Sequence, residues 1–188
     1  MVQWLRVAVG VIRSAEEIEA LARTAKDADG LYFVPAFTGL GAPYWDPDAR
    51  GAILGLTRDM GSAEIARAAL DAVCYQTRDL LDAMARDMKS AKLGVPKAIK
   101  VDGGMVRNDW FCQRLADLTG LPVDRPQVTE TTALGAAYLA GLAAGLFKDT
   151  KDIASRWALD RRFTPAMKPA ARNALYEGWK NAVKRARA

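Results

Sequence analysis

Residues 97–120 read KAIKVDGGMVRNDWFCQRLADLTG. Apolar Ile99 and Val101 alternate with Lys100, which predicts a short strand over 97–101. Asp102-Gly103-Gly104 ends it. A helix is expected over about 108–118, because Phe111, Leu115 and Leu118 recur at steps of three and four, and Gly120 stops it. Strand, glycine turn and helix in that order form one α/β unit. A second short strand over 122–125 follows, and then a helix over 131–146 whose first turn holds Thr131 and Thr132 as candidate caps. That helix is apolar almost all round, so it is expected to be enclosed by other elements.

The same alternation extends upstream. LYFVPAF (31–37) is aromatic and β-branched and reads as a buried strand with a proline near its end. TGLGAPYWDPDAR (38–50) is a loop, and GAILGLT (51–57) is a second strand. Ser62 is expected to cap a long helix over 62–88. Ile65, Ala69, Val73, Leu80 and Met84 share one face of it. A first helix is expected from Ser14, with Glu16 and Glu17 in its first turn, where carboxylates suit the helix dipole. A last helix over about 169–187 sets Ala171, Leu175, Trp179 and Val183 in one row. Val2-Gln3-Trp4-Leu5 reads as helix without a cap before it, as if the frame continued upstream. The expectation is an α/β domain, a mixed sheet flanked by helices. It has a helical segment over 1–30, an α/β core over 31–147 and a helical segment over 148–188.

Composition narrows the chemistry. There is no histidine among the 188 residues, which excludes a Ser-His-Asp or Cys-His relay and any histidine-ligated metal within this chain. Two cysteines, Cys74 and Cys112, are too few for a disulfide scaffold or a four-cysteine zinc site, and both fall in apolar helical patterns. They are expected as buried free thiols in a reducing, cytoplasmic setting. The net charge of +5 is concentrated towards the last helix, in Lys180, Lys184, Arg185 and Arg187. Those residues read as a solvated face rather than a nucleic-acid surface, because no aromatic platform or known module accompanies them. The longest nearly apolar run, 133–147, is too short to span a bilayer, so no membrane partner is expected.

Four features carry candidate chemistry. At Gly103-Gly104 the backbone can approach a ligand without a Cβ in the way, and the helix that follows offers free N–H groups at its start. The pattern suits the adenosine and phosphate end of a nucleotide, and it equally suits a plain strand-to-helix turn. Asn108 can bond a base or ribose, or cap its own helix. The pattern is neither G-x-G-x-x-G nor a Walker loop. Asp46 is either a general base or, more commonly before a proline, a turn cap. Thr129 to Gly135 is a helix cap that can also edge a cleft. Asp71, Asp79 and Asp82, beside Arg78 and Arg86, read as a solvated helix face.

Taken together these segments resemble a known family. Residues 33–47 (FVPAFTGLGAPYWDP) are similar to the central stretch of glycerol kinases within the FGGY carbohydrate kinases. GAILGL (51–56) and EIARAALD (64–71) resemble the C-terminal signature of the wider family. YQTRD (75–79), VDGG (101–104), ETTALGAAY (130–138) and YEGWK (176–180) then follow in the same order. The resemblance implies an actin-like, ribonuclease-H-like ATPase domain, the second of two in the full enzyme. Relatives move the γ-phosphoryl of ATP onto glycerol with Mg²⁺, and ATP sits between the domains. By this likeness Gln3, Gly103, Gly104 and Asn108 are the expected nucleotide contacts. No catalytic or metal-ligating residue is expected in this chain. The catalytic aspartate and most of the phosphate and glycerol contacts belong, in the family, to chain before the point that matches Met1. The implied partners are ATP or ADP, glycerol through that first domain, and a second copy or an N-terminal kinase chain. Met105-Val106-Arg107 departs from the small residues that relatives usually carry there. Alternatives are another FGGY sugar kinase, such as one acting on a pentulose, or a non-catalytic nucleotide-binding scaffold. The apolar N-terminal helix around Trp4, Leu5, Val9 and Ile12 is expected to be uncovered.

Overall fold

The computed structural model describes residues 1–26 and 28–187. Its elements are α1 (Val2–Val7), α2 (Glu17–Arg23), β1 (Tyr32–Val34), β2 (Ala52–Leu54), α3 (Ser62–Ser90) and β3 (Ile99–Lys100). A 3-10 turn (Gly104–Arg107) leads into α4 (Asp109–Thr119), β4 (Val123–Pro126), α5 (Thr131–Ala143), α6 (Thr150–Ser155), β5 (Leu159–Phe163) and α7 (Pro169–Ala186).

Two small sheets result. β1 and β2 pair antiparallel. The second sheet has the order β3-β4-β5 and is mixed: β3 runs parallel to β4, and β4 antiparallel to β5. The expected strand over 31–37 shrinks to Tyr32–Val34 because Pro35 has no N–H to give a ladder. The segment over 148–188 is not wholly helical, since β5 lies within it. Leu159 to Arg162 are exposed there, so β5 is a charged edge strand with no apolar alternation to announce it.

Helix α3 is the spine and packs against α2, α4 and β1. It begins at Gly61 rather than at a Ser62 cap: Glu64 reaches back, and its carboxylate accepts the Gly61 N–H at 2.9 Å and the Lys26 N–H at 3.2 Å. Those bonds hold the Glu64 carboxyl below the usual range. The core gathers Leu70, Cys74, Cys112, Leu115, Leu118, Val123 and Trp179, all buried. Both thiols are free, and burial pushes the Cys112 thiol up to about 11. α7 covers β1 and α4, with Tyr176, Trp179, Ala182 and Val183 facing in.

Three expectations are corrected. Asp71 and Asp79 are buried rather than solvated. Asp71 accepts two bonds from Arg114 of α4, at 2.7 and 2.8 Å. Asp79 accepts from the Tyr176 hydroxyl at 2.6 Å and the Trp179 indole at 2.8 Å. Burial holds the Asp79 carboxyl above its ordinary value, against the opposing pull of those donors. Asp82 alone is half exposed, 3.8 Å from Arg78. Second, α5 is not enclosed: only Gly141 is buried, Leu139 is 70% exposed, and Leu146 just beyond the helix is 75% exposed. Third, the N-terminal segment is only partly uncovered. Leu5 and Ile12 join the core, while Val7 and Val9 face water. The first clear helix starts at Glu17, not Ser14.

The loop over 38–50 is pinned through Asp46. Asp46 accepts the N–H groups of Asp48 and Ala49 at 3.1 and 3.0 Å, the turn-cap role, and the guanidinium of Arg187 at 2.8 Å. Lys180, Lys184 and Arg185 stay exposed on the outer face of α7. Among the described residues no helix is long and apolar enough to cross a membrane.

Candidate functional site

The strand-to-helix junction after β3 is built almost wholly from backbone. Val101 donates to the Asp124 carbonyl at 3.1 Å, extending the β3–β4 ladder by one bond. Gly103 donates to the Thr129 carbonyl at 2.7 Å and turns the chain with φ +84°, a left-handed value that any Cβ would resist. Gly104 opens the 3-10 turn. A Cβ at Gly104 would meet nothing within 4 Å, so the turn faces open space. Asn108 then caps α4: its Oδ1 accepts the Phe111 N–H at 2.7 Å. Its Nδ2 makes no hydrogen bond among the described residues.

The open side is a cleft of about 490 Å³. Gly104, Met105, Arg107 and Asn108 line one side, and Val2, Ala15, Glu16, Ile18 and Glu19 the other, with Leu70 of α3 between them in sequence. Gly104 and Asn108 are therefore brought together at the cleft. Gly103 shapes the turn and is not in the lining. Gln3 is exposed on α1, one residue from the lining Val2. Arg107 is exposed, with its guanidinium 3.5 Å from the Thr129 hydroxyl. Glu16 sits below the usual carboxylate range, through a hydrogen bond from Ser14 and then its own backbone. Glu19 is paired with Arg23 at 2.6 Å.

Thr131 does not cap α5; its hydroxyl turns to the carboxylate of Asp102 and ties the start of α5 to the end of β3. The wall made by Ala15, Glu16 and Glu19 was not among the expected site residues. No local pattern signals it, because it meets residues 104–108 only through tertiary packing. Among the described residues no three His, Cys, Asp or Glu side chains cluster to hold a metal.

A glycine turn between a mixed sheet and a capped helix, opening on a cleft this size, is a candidate small-molecule site in an α/β domain. Residues 1–144 match the C-terminal domain of the FGGY family of carbohydrate kinases, and the chain belongs to that family. Glycerol kinase 1 of Pseudomonas aeruginosa is 59% identical over 186 residues, which is 99% of this chain and 37% of that protein. The glycerol kinase of Rhodospirillum rubrum is 60% identical over 184 residues, 98% of this chain and 36% of that protein. The chain thus spans a little over a third of the length of these relatives. Among solved structures, Plasmodium falciparum glycerol kinase with ADP superposes with a TM-score of 0.83 at 30% identity, covering 98% of this chain and 36% of that one. A ligand-bound xylulose kinase from Lactobacillus acidophilus gives 0.76 at 27% identity, covering 98% of this chain and 37% of that one. The fold is the actin-like, ribonuclease-H-like one of these kinases.

Proposed function

We propose that this chain supplies the nucleoside side of an ATP-dependent glycerol kinase, with ADP or ATP held at Gly104 and Asn108 and edged by Gln3. The observation that carries the reading is the open Gly103-Gly104 turn on its cleft, in a chain 59% identical to a glycerol kinase. The bare turn presents backbone at van der Waals distance from a ring, the free Nδ2 of Asn108 is a donor for a base or ribose, and the start of α4 favours the phosphate charge. The Plasmodium relative was solved with ADP, which supports the same ligand class here.

Phosphoryl transfer is mostly positioning and charge neutralisation by metal, donors and an acceptor-orienting carboxylate. Nothing in this cleft takes the last role, and no residue here is assigned to Mg²⁺, which in this reading arrives on the nucleotide phosphates. The reaction therefore calls for a second polypeptide body carrying the glycerol pocket, in the same chain or another. The exposed apolar surface of α5 is suited to contact of that kind. The identity to glycerol kinases favours glycerol over a pentulose as acceptor. Two buried free thiols fit a reducing cytoplasm.

Calorimetric titration with ADP tests the reading. A dissociation constant of roughly 1 mM, about 4 kcal/mol, is expected for a one-sided site. Gly104→Trp fills the open space without strain and abolishes the heat. Equal heats from both proteins overturn the nucleotide site. Glycerol-dependent ADP release from ATP by the purified chain overturns the claim that a second body is required.

A further inference from the structure

We infer that Arg125 is the positioning residue of this cleft: its guanidinium holds the Gly104–Arg107 turn in the shape a nucleotide meets. The inference rests on the nucleotide reading above, and it concerns a side chain that does not line the cleft.

Little that is local fixes this turn. A 3-10 run has poor internal hydrogen-bond geometry, and two glycines precede Met105. The Val106 carbonyl, in the middle of the turn, receives a thiol from Cys112 at 3.1 Å, which is a weak donor. Arg125 supplies what the turn lacks. From β4, its Nη1 donates to the Val106 carbonyl at 3.0 Å and to the Asp109 carboxylate at 2.7 Å. Its Nε donates to Asp160 of β5 at 2.7 Å. Asp109 is the first residue of α4, and its other oxygen accepts from Arg161 of β5 at 2.6 Å. Arg125 and Arg161 face each other in register across β4 and β5. The Phe163 ring lies 5.3 Å from Arg125 and 4.7 Å from Arg161. The turn, the first residue of α4 and two strands thus meet at one rigid fork. A lysine cannot reproduce it, because a single ammonium does not serve acceptors in two directions with fixed spacing.

The side chain of Arg125 is 13% exposed, while its partners Asp109 and Asp160 are 45% and 44% exposed. Removing the guanidinium therefore leaves hydrated carboxylates, not stranded ones, and the fold survives the substitution. Arg162 provides a control for loss of an ion pair in this sheet, and a severe one, since its partner Asp124 is only 7% exposed. It makes an equally close pair with Asp124 in the same sheet, at 2.6 and 2.7 Å, and gives no bond to the turn.

The experiment is an amide NMR titration of the full chain with ADP, with hydrogen exchange followed on the same samples. Arg125→Met weakens ADP by about tenfold or more, since small misplacements at a site carry effects of that size. Arg125→Lys falls between it and the unaltered chain. Arg162→Met stays within about twofold, well under the 1.4 kcal/mol of a tenfold change, even where it lowers the melting temperature. Amides 105–108 exchange faster in Arg125→Met and not in Arg162→Met. The proposal is overturned if Arg125→Met binds as the unaltered chain does. Unchanged exchange at 105–108, or equal weakening by Arg162→Met, overturns it too. If the unaltered chain binds no ADP, the nucleotide reading falls and the affinity claim with it. The exchange data then still decide whether Arg125 holds the turn.

Discussion

Replacing Arg114 by methionine strips α4 of its grip on α3 at little cost in volume. The Asp71 and Arg114 side chains are only 8% and 12% exposed, and they meet through two short bonds. The substitution leaves the Asp71 carboxylate in the helix interface with Arg67 Nε, 3.9 Å away, as its remaining cationic neighbour. Breaking a buried pair from one side costs about 3–5 kcal/mol. Because Arg67 remains within reach of the carboxylate, the lower end, about 3 kcal/mol, is expected here. With a urea m-value of about 2 kcal/mol/M, that moves the unfolding midpoint down by about 1.5 M. The double variant Asp71→Asn with Arg114→Met removes the stranded charge and recovers roughly 1–2 kcal/mol of the loss. Urea unfolding followed by circular dichroism measures both. A loss under about 1 kcal/mol for the single variant refutes the burial argument. So does a double variant no better than the single one.

Asp79→Asn leaves one acceptor oxygen where the carboxylate offers two, so the Trp179 indole keeps its bond only if the Tyr176 hydroxyl turns from donor to acceptor; a loss of about 1–3 kcal/mol is expected by thermal or urea unfolding. Gly178→Ala builds a Cβ into the Tyr32 hydroxyl, forcing the ring away from its bond to the Leu175 carbonyl; the expected loss is about 1–3 kcal/mol, and an unchanged midpoint refutes the close approach. Glu64→Gln tests pH linkage. The native carboxyl lies below its ordinary value of 4.5, so its stabilisation is present above that pH and fades as the pH falls through the lower native value. The stability gap between the two proteins is expected to close in acid, and a constant gap from pH 7 to 3 refutes it.

The long helix, the capped α4 and the glycine turn were legible because each is written in a few adjacent residues: an apolar period, Asn108, Gly120. Their chemistry is local, and so is their signal. β5 was illegible for the opposite reason. Asp160, Arg161 and Arg162 look like loop, and they become a strand only because Asp124 and Asp109 await them. Asp79 misled in the same way. A carboxylate among arginines on a helix reads as surface, and its true donors lie on α7. α5 misled through its periodicity, since an apolar circumference states a preference for partners and not which ones are at hand. At the site, residues 103–108 were visible as a turn. The facing wall from α1 and α2 was not, because nothing near Glu16 or Glu19 refers to a glycine almost ninety positions away.

The bond between Asp79 and α7 also has a temporal side. Tyr176 and Trp179 follow Asp79 in the chain by 97 and 100 residues. At synthesis rates of about 5–20 residues per second, the carboxylate waits roughly 5–20 s for them. Until both have been made, Asp79 lacks the two donors that bond it in the folded core, and the face of Tyr75 lacks the indole that stacks on it at 5.3 Å.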